Sequence, residues 1–164
     1  MKKRLVGSIV IIPMDDGEFC YARILENLDY AFYDYKTFYE ETDLAVIIKN
    51  DILFTALVKF AALKESNWKI IGKIDLDERH KITPIYFHPD LTNISIYDYT
   101  VSKIKETLKY KTFEKGGIQD GGIYSAEHIQ KRLSDYYSGN QYKGITIKFD
   151  LLENLKSYHF KNNS

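Results

Sequence analysis

Four histidines, one cysteine and two glycine pairs are the groups that could support chemistry in this 164-residue chain. His80 lies between Glu78 and Lys81, and His128 follows Glu127. Either histidine is a candidate acid or base for a metal-free hydrolase or nuclease. Neighbours in sequence do not face one another on a helix, so neither grouping makes a dyad by itself. With His88 and His159 included, no two histidines stand four apart as a helical zinc site requires. A lone Cys20 excludes an intrachain disulfide and a cysteine-rich zinc site, and it reads as a small buried hydrophobe. Gly116, Gly117, Gly121 and Gly122 lack the spacing and the preceding buried strand of a phosphate cradle, and read as a loop. These spacings assign no catalytic residue, metal ligand or cofactor.

The elements around these groups are clearer. Residues 8–12 form a continuous β-branched run, hence a buried strand. Pro13 cannot donate to a ladder and marks its end. Asp15, Asp16 and Gly17 supply a turn, with the positive φ falling to glycine. Residues 18–25 return as a second strand, with Phe19, Tyr21 and Arg23 on one face and Cys20, Ala22 and Ile24 on the other. A third strand follows over 30–35, then an acidic loop or helical turn over 37–43. Residues 45–48 read as strand. Residues 51–63 are ambiguous, with strand favoured by Ile52, Phe54, Thr55, Val58 and Phe60.

Beyond a turn at 65–67, residues 68–74 form a strand with Trp68, Ile70 and Gly72 on one face. A charged loop over 75–81 leads to Pro84 and short strands over 84–88 and 93–98. Val101, Ile104 and Leu108 predict a helix over 100–110. Ser125 caps a second helix over 126–137, with Ile129, Leu133, Tyr136 and Tyr137 as its apolar stripe. A late strand over 142–149 and a short helix over 151–160 complete the pattern.

Basic and acidic residues number 23 each, which argues against a dedicated nucleic-acid binder. The basic N-terminus is followed by too short and broken an apolar run for an export signal, and no stretch is long enough to span a membrane. A cytoplasmic protein is expected. The charge is unevenly placed. From Asp15 to Asp43 nine acidic residues accompany two basic ones, and Tyr30, Phe32, Tyr33, Tyr35, Phe38 and Tyr39 interleave them. Acid with aromatics on a sheet edge suits a basic partner surface. The partner-binding residues expected on this basis are Asp29, Tyr33, Asp34, Tyr35, Glu40, Glu41 and Asp43.

Several of these pieces share an order with a known family. Gly7 and the strand to Pro13, Asp15-Asp16-Gly17, Tyr21-Ala22-Arg23, and Trp68 through Gly72 followed by Pro84 resemble the immunity protein 26 family of bacterial polymorphic toxin systems. His128 to Leu133 running into Tyr136, Tyr137 and Gly139 is similar too, so the resemblance spans 7–144. Ala22 stands where that pattern carries glycine, and Tyr142 where it carries an aromatic, often tryptophan. The resemblance implies a non-enzymatic protein that binds and blocks a cognate toxin, commonly a nuclease. Pro13, Gly17, Trp68, Gly72 and Pro84 are then structural anchors.

The expected architecture is a single α+β domain over residues 1–164. It has a strongly bent antiparallel sheet, barrel-like in its N-terminal strands, and two or three helices in the C-terminal third. A small β-rich module for a peptide or nucleic acid is the alternative to toxin binding, and a hydrolase or nuclease using His80 or His128 is a second. The oligomeric state does not follow from the sequence.

Overall fold

The computed structural model describes residues 5–26, 29–81, 85–89, 93–98, 103–109 and 119–140. The β-branched run becomes β1 (Ser8–Pro13), and the Asp15–Gly17 turn leads into β2 (Phe19–Ile24). Gly17 takes φ +83° there, the conformation that glycine adopts at no steric cost. Next come β3 (Asp29–Thr37), α1 (Leu44–Ile48), β4 (Ile52–Val58), α2 (Ala62–Glu65) and β5 (Lys69–Lys73). The order β4-β3-β2-β1-β5 is antiparallel throughout. β10 (Ile123–Tyr124) adds to β4 in parallel, giving an open, mixed six-stranded sheet. The fold is α+β as expected, but the sheet is not closed into a barrel.

Between β5 and β10 lie α3 (Glu78–Lys81) and a second sheet. Its order is β8-β7-β6-β9, from β6 (Ile85–Pro89), β7 (Asn93–Asp98), β8 (Lys103–Lys109) and β9 (Gln119–Asp120). The helix expected over 100–110 is therefore strand β8, paired antiparallel to β7 with Ile104 opposite Tyr97 and Leu108 opposite Ile94. Residues 45–48 are also corrected, from strand to helix α1, because Asp43 caps them: its Oδ1 accepts from the Ala45 N–H at 2.9 Å. The stretch favoured as strand over 51–63 is strand only to Val58, and then turns into α2. Among the described helices only α4 (Ala126–Tyr137) lies in the C-terminal third. Pro84 and the elements expected over 142–149 and 151–160 lie outside the described residues.

Strand alternation gives the large sheet two buried faces. On one, Val10, Ile12, Cys20, Ala22, Phe32, Ala56 and Trp68 pack beneath Ile129 and Leu133 of α4. Trp68 is buried against Tyr30 and Phe32, with ring centroids 6.2 and 6.4 Å away. Burial pushes the Cys20 thiol up to about 12, so it stays neutral at physiological pH. α4 begins at Ser125, whose Oγ accepts the His128 N–H, and Gln130 Nε2 donates to the Pro13 carbonyl at 2.6 Å.

The other face packs Ile9, Ile11, Tyr21 and Tyr33, with Leu44, Ile47 and Ile48 of α1 over them. A bulge in β5 moves Gly72 onto this side, away from the face expected for it with Trp68 and Ile70. Gly72 pairs with Ile9 and Ile70 with the next residue, Val10, so Ile71 is the extra residue. A Cβ at Gly72 would stand 2.5 Å from Leu44 Cδ1, so its lack of a side chain lets α1 approach. Gly7, at φ +86°, joins two strand ends: its N–H donates to the Ile24 carbonyl and its own carbonyl accepts from Ile74.

The same face carries a guanidinium with no exposed surface. Arg23 donates from one terminal nitrogen to the carbonyls of Ile74 at 2.8 Å and Asp75 at 2.5 Å. Its other terminal nitrogen lies 3.7 Å from Asp77 Oδ2 and 3.4 Å from His80 Nδ1. His80 is itself buried, with Nδ1 2.6 Å from Asp77 Oδ1 and Nε2 3.0 Å from the Tyr33 hydroxyl. Asp77 Oδ1 can only accept, so Nδ1 donates to it, and Nε2 pairs with the Tyr33 hydroxyl. Arg23→Met fills similar volume but strands two backbone carbonyls. It is expected to cost about 3 kcal/mol, read as a lower urea midpoint at unchanged slope. A loss below about 1 kcal/mol would show that the clamp contributes little.

Candidate partner-binding surface

The chain leaves the sheet at Thr37 and re-enters structure at Asp43. The five residues between carry the most exposed aromatics of the described surface. Phe38 is 86% exposed and Tyr39 61%. Their backbone is nevertheless tied to the sheet. Tyr21 buries its ring on β2, 5.4 Å from the Tyr35 ring, and its hydroxyl emerges beneath the loop. That hydroxyl lies 2.7 Å from Thr37 Oγ1 and accepts the Glu41 N–H at 2.8 Å. Thr37 Oγ1 donates to the Tyr39 carbonyl at 2.6 Å. Burial raises the Tyr21 phenol's pKa, so it keeps its proton. Glu41 Oε1 then accepts the Asp43 N–H, and Asp43 caps α1.

A second acidic element lies alongside. β2 and β3 pair with Phe19 opposite Thr37, so the Asp15–Gly17 turn sits at the same end of the sheet as the aromatic loop. Lys36 reaches this turn and forms ion pairs with Asp16, at 2.5 Å, and with Glu18. The Lys36 bond holds the Asp16 carboxyl below its usual range, against a smaller opposing desolvation. Burial pulls the Lys36 ammonium down, but its bonds to Asp16 and Glu18 outweigh this and raise it. The basic groups of the acidic segment are thus both committed, Lys36 here and Arg23 inside. Asp15, Glu40 and Asp43 remain exposed.

The residues expected to bind a partner do not all reach the surface. Asp29 and Tyr33 are buried, at 1% and 0% exposure, because β3 is flanked by β2 and β4 and covered on both faces. Tyr35 is half-buried, and burial pushes its phenol up to about 12. Asp34 is exposed but already accepts hydrogen bonds from Tyr136 and Tyr137 at 3.2 and 3.1 Å, fastening the end of α4 to β3. Glu40, Glu41 and Asp43 lie together in the loop. Phe38 and Tyr39, the most exposed aromatics, belong to the acidic and aromatic segment read as a partner surface but were not among the contact residues expected there. Their signal is that two adjacent aromatics follow the end of a strand, where alternation can no longer bury both.

The histidines weighed for acid–base work are placed apart, His80 buried within α3 and His128 exposed in the first turn of α4. His80's ring nitrogens are occupied by Asp77 and Tyr33.

A family model described as immunity protein 26 matches residues 6–108. The chain belongs to the immunity protein 26 family. The matched span of this immunity protein 26 member runs from Val6 through most of β8, and includes β2, β3, the aromatic loop and the Arg23 clamp. The resemblance read as far as residue 144 is not carried that far by the match, which stops short of α4. No curated protein and no solved structure matches the chain. Among the described residues no helix is long and apolar enough to cross a membrane.

Two measurements test this local structure. Tyr21→Phe removes only the hydroxyl that holds the loop, so stability should fall by about 1 kcal/mol and the Glu41 amide should exchange faster with solvent. Unchanged Glu41 exchange would show that the loop is held by other means. The Asp16 carboxyl should titrate below the usual aspartate value by NMR, and Lys36→Met should return it upward. Its contribution to stability is present above the usual aspartate value and is lost as pH falls through the lowered one.

Proposed function

We propose that this protein binds a toxin made by the same cell and neutralises it in the cytoplasm by covering its active surface. No residue of this chain performs chemistry in that reading. The observation that carries it, together with membership of the immunity protein 26 family, is the acidic end of the sheet. Asp15, Glu40 and Asp43 are exposed there around a loop held in place by Tyr21.

A basic toxin surface, such as a nuclease site that must hold phosphates, is the complement of this end. Opposite fields raise the encounter rate, and this suits an inhibitor that must find its target before damage occurs. Occlusion needs shape and charge alone. The burial of His80 agrees with this, since an acid or base must reach its substrate.

The product of the gene beside this chain's is the protein to test. It should be toxic when expressed alone and harmless when co-expressed with this chain. A neighbour that is harmless alone, or that stays toxic on co-expression, would remove the toxin reading and favour a binding module for another partner. With the toxin in hand, Asp15→Lys combined with Glu40→Lys should slow association about tenfold at low salt. The difference should fade as salt rises. Unchanged rates would place the contact elsewhere.

A further inference from the structure

We infer that Phe38 and Tyr39 form the energetic centre of the interface and enter an apolar cleft set within a basic surface of the toxin. This rests on the toxin-binding function proposed above and specifies its contact. Three observations converge on these two residues.

The first is exposure. Phe38 and Tyr39 are adjacent, large and open to water at a loop tip, at 86% and 61%. Exposed apolar surface of this kind is stabilised by burial against a partner. Aromatic anchors that fill a pocket supply most of the binding energy in typical interfaces.

The second is rigidity. The loop is fastened from below through its backbone, at the Tyr39 carbonyl and the Glu41 N–H. A loop already ordered loses little conformational freedom on docking, so more of the contact energy appears as affinity.

The third is the charge around the aromatics. Glu40, Glu41 and Asp43 follow in the same loop, and Asp15 and Asp16 lie at the same end of the sheet. In a symmetric contact between two copies, this surface would meet itself and oppose like charges. A basic rim around an apolar cleft has the opposite sign and the matching shape. The occupant is therefore a toxin surface, and a second copy of this chain is disfavoured. The parts divide the work: carboxylates govern arrival, and aromatics govern residence.

The test uses the full-length chain and a catalytically inactive variant of the toxin encoded beside it, with association and dissociation rates measured separately. Phe38→Ala combined with Tyr39→Ala should weaken binding on the order of 30-fold or more, mainly through faster dissociation, with the unfolding curve unchanged. Glu40→Gln should lower the association rate at low salt and leave dissociation nearly unchanged. If the double alanine variant binds as tightly as the wild type, the centre of the interface is elsewhere, while neutralisation by the wild type still stands. If the wild type sediments as a dimer that the double variant disperses, with toxin affinity unaltered, the aromatics are a self-interface and the inference fails. A wild type that neither binds nor neutralises the toxin removes the function itself, and this contact with it.

Discussion

Burial of the Arg23 guanidinium constrains everything on its side of the sheet. A guanidinium carries its charge into the interior, so its terminal nitrogens need acceptors where it is enclosed. The chain after β5 supplies them by bending back so that the Ile74 and Asp75 carbonyls point inward. That bend carries Asp77 and His80 into place, and His80 in turn pairs with the Tyr33 hydroxyl from β3. One side chain on a central strand thereby determines the path of a segment far away in sequence.

Tyr21, two residues earlier on the same face of β2, solves a similar problem with the opposite result. Its ring is part of the core and its hydroxyl anchors a loop rather than a buried segment. The face beneath α4 works differently: it is apolar across the strands, and polar bonds such as Gln130 to Pro13 and Tyr137 to Asp34 act at its margins. One face therefore secures a helix mainly by hydrophobic burial. The other places two polar ends inside and uses them to hold irregular chain.

The elements legible in the sequence were those set by local chemistry. The β-branched run of β1, the Asp15–Gly17 turn and the Ser125 cap of α4 act within a few residues, and each appears where its pattern puts it. The misreadings came where two periods coincide or a distant strand decides. Ile104 and Leu108 are four apart, a spacing that a helix face and a regular strand share in sequence; pairing with β7 makes it strand, and a register shift between the Ile96–Glu106 and Tyr97–Ile104 pairs interrupts its alternation. The β-branched content of α1 suggested strand, and five residues are too few to show a helical period. For the candidate surface, the acidic loop was legible. The burial of Asp29 and Tyr33 was not, because it depends on β3 lying between β2 and β4 and under cover on both faces.

The way the loop is fastened separates two demands that usually compete. Tyr21 and Thr37 grip main-chain atoms of Tyr39 and Glu41, so the hold does not depend on which side chains stand at positions 38, 39 and 40. Those positions can exchange without loosening the loop or disturbing the core beneath it. The tip can therefore change while the scaffold stays fixed, which makes it a natural place to present new side chains by design.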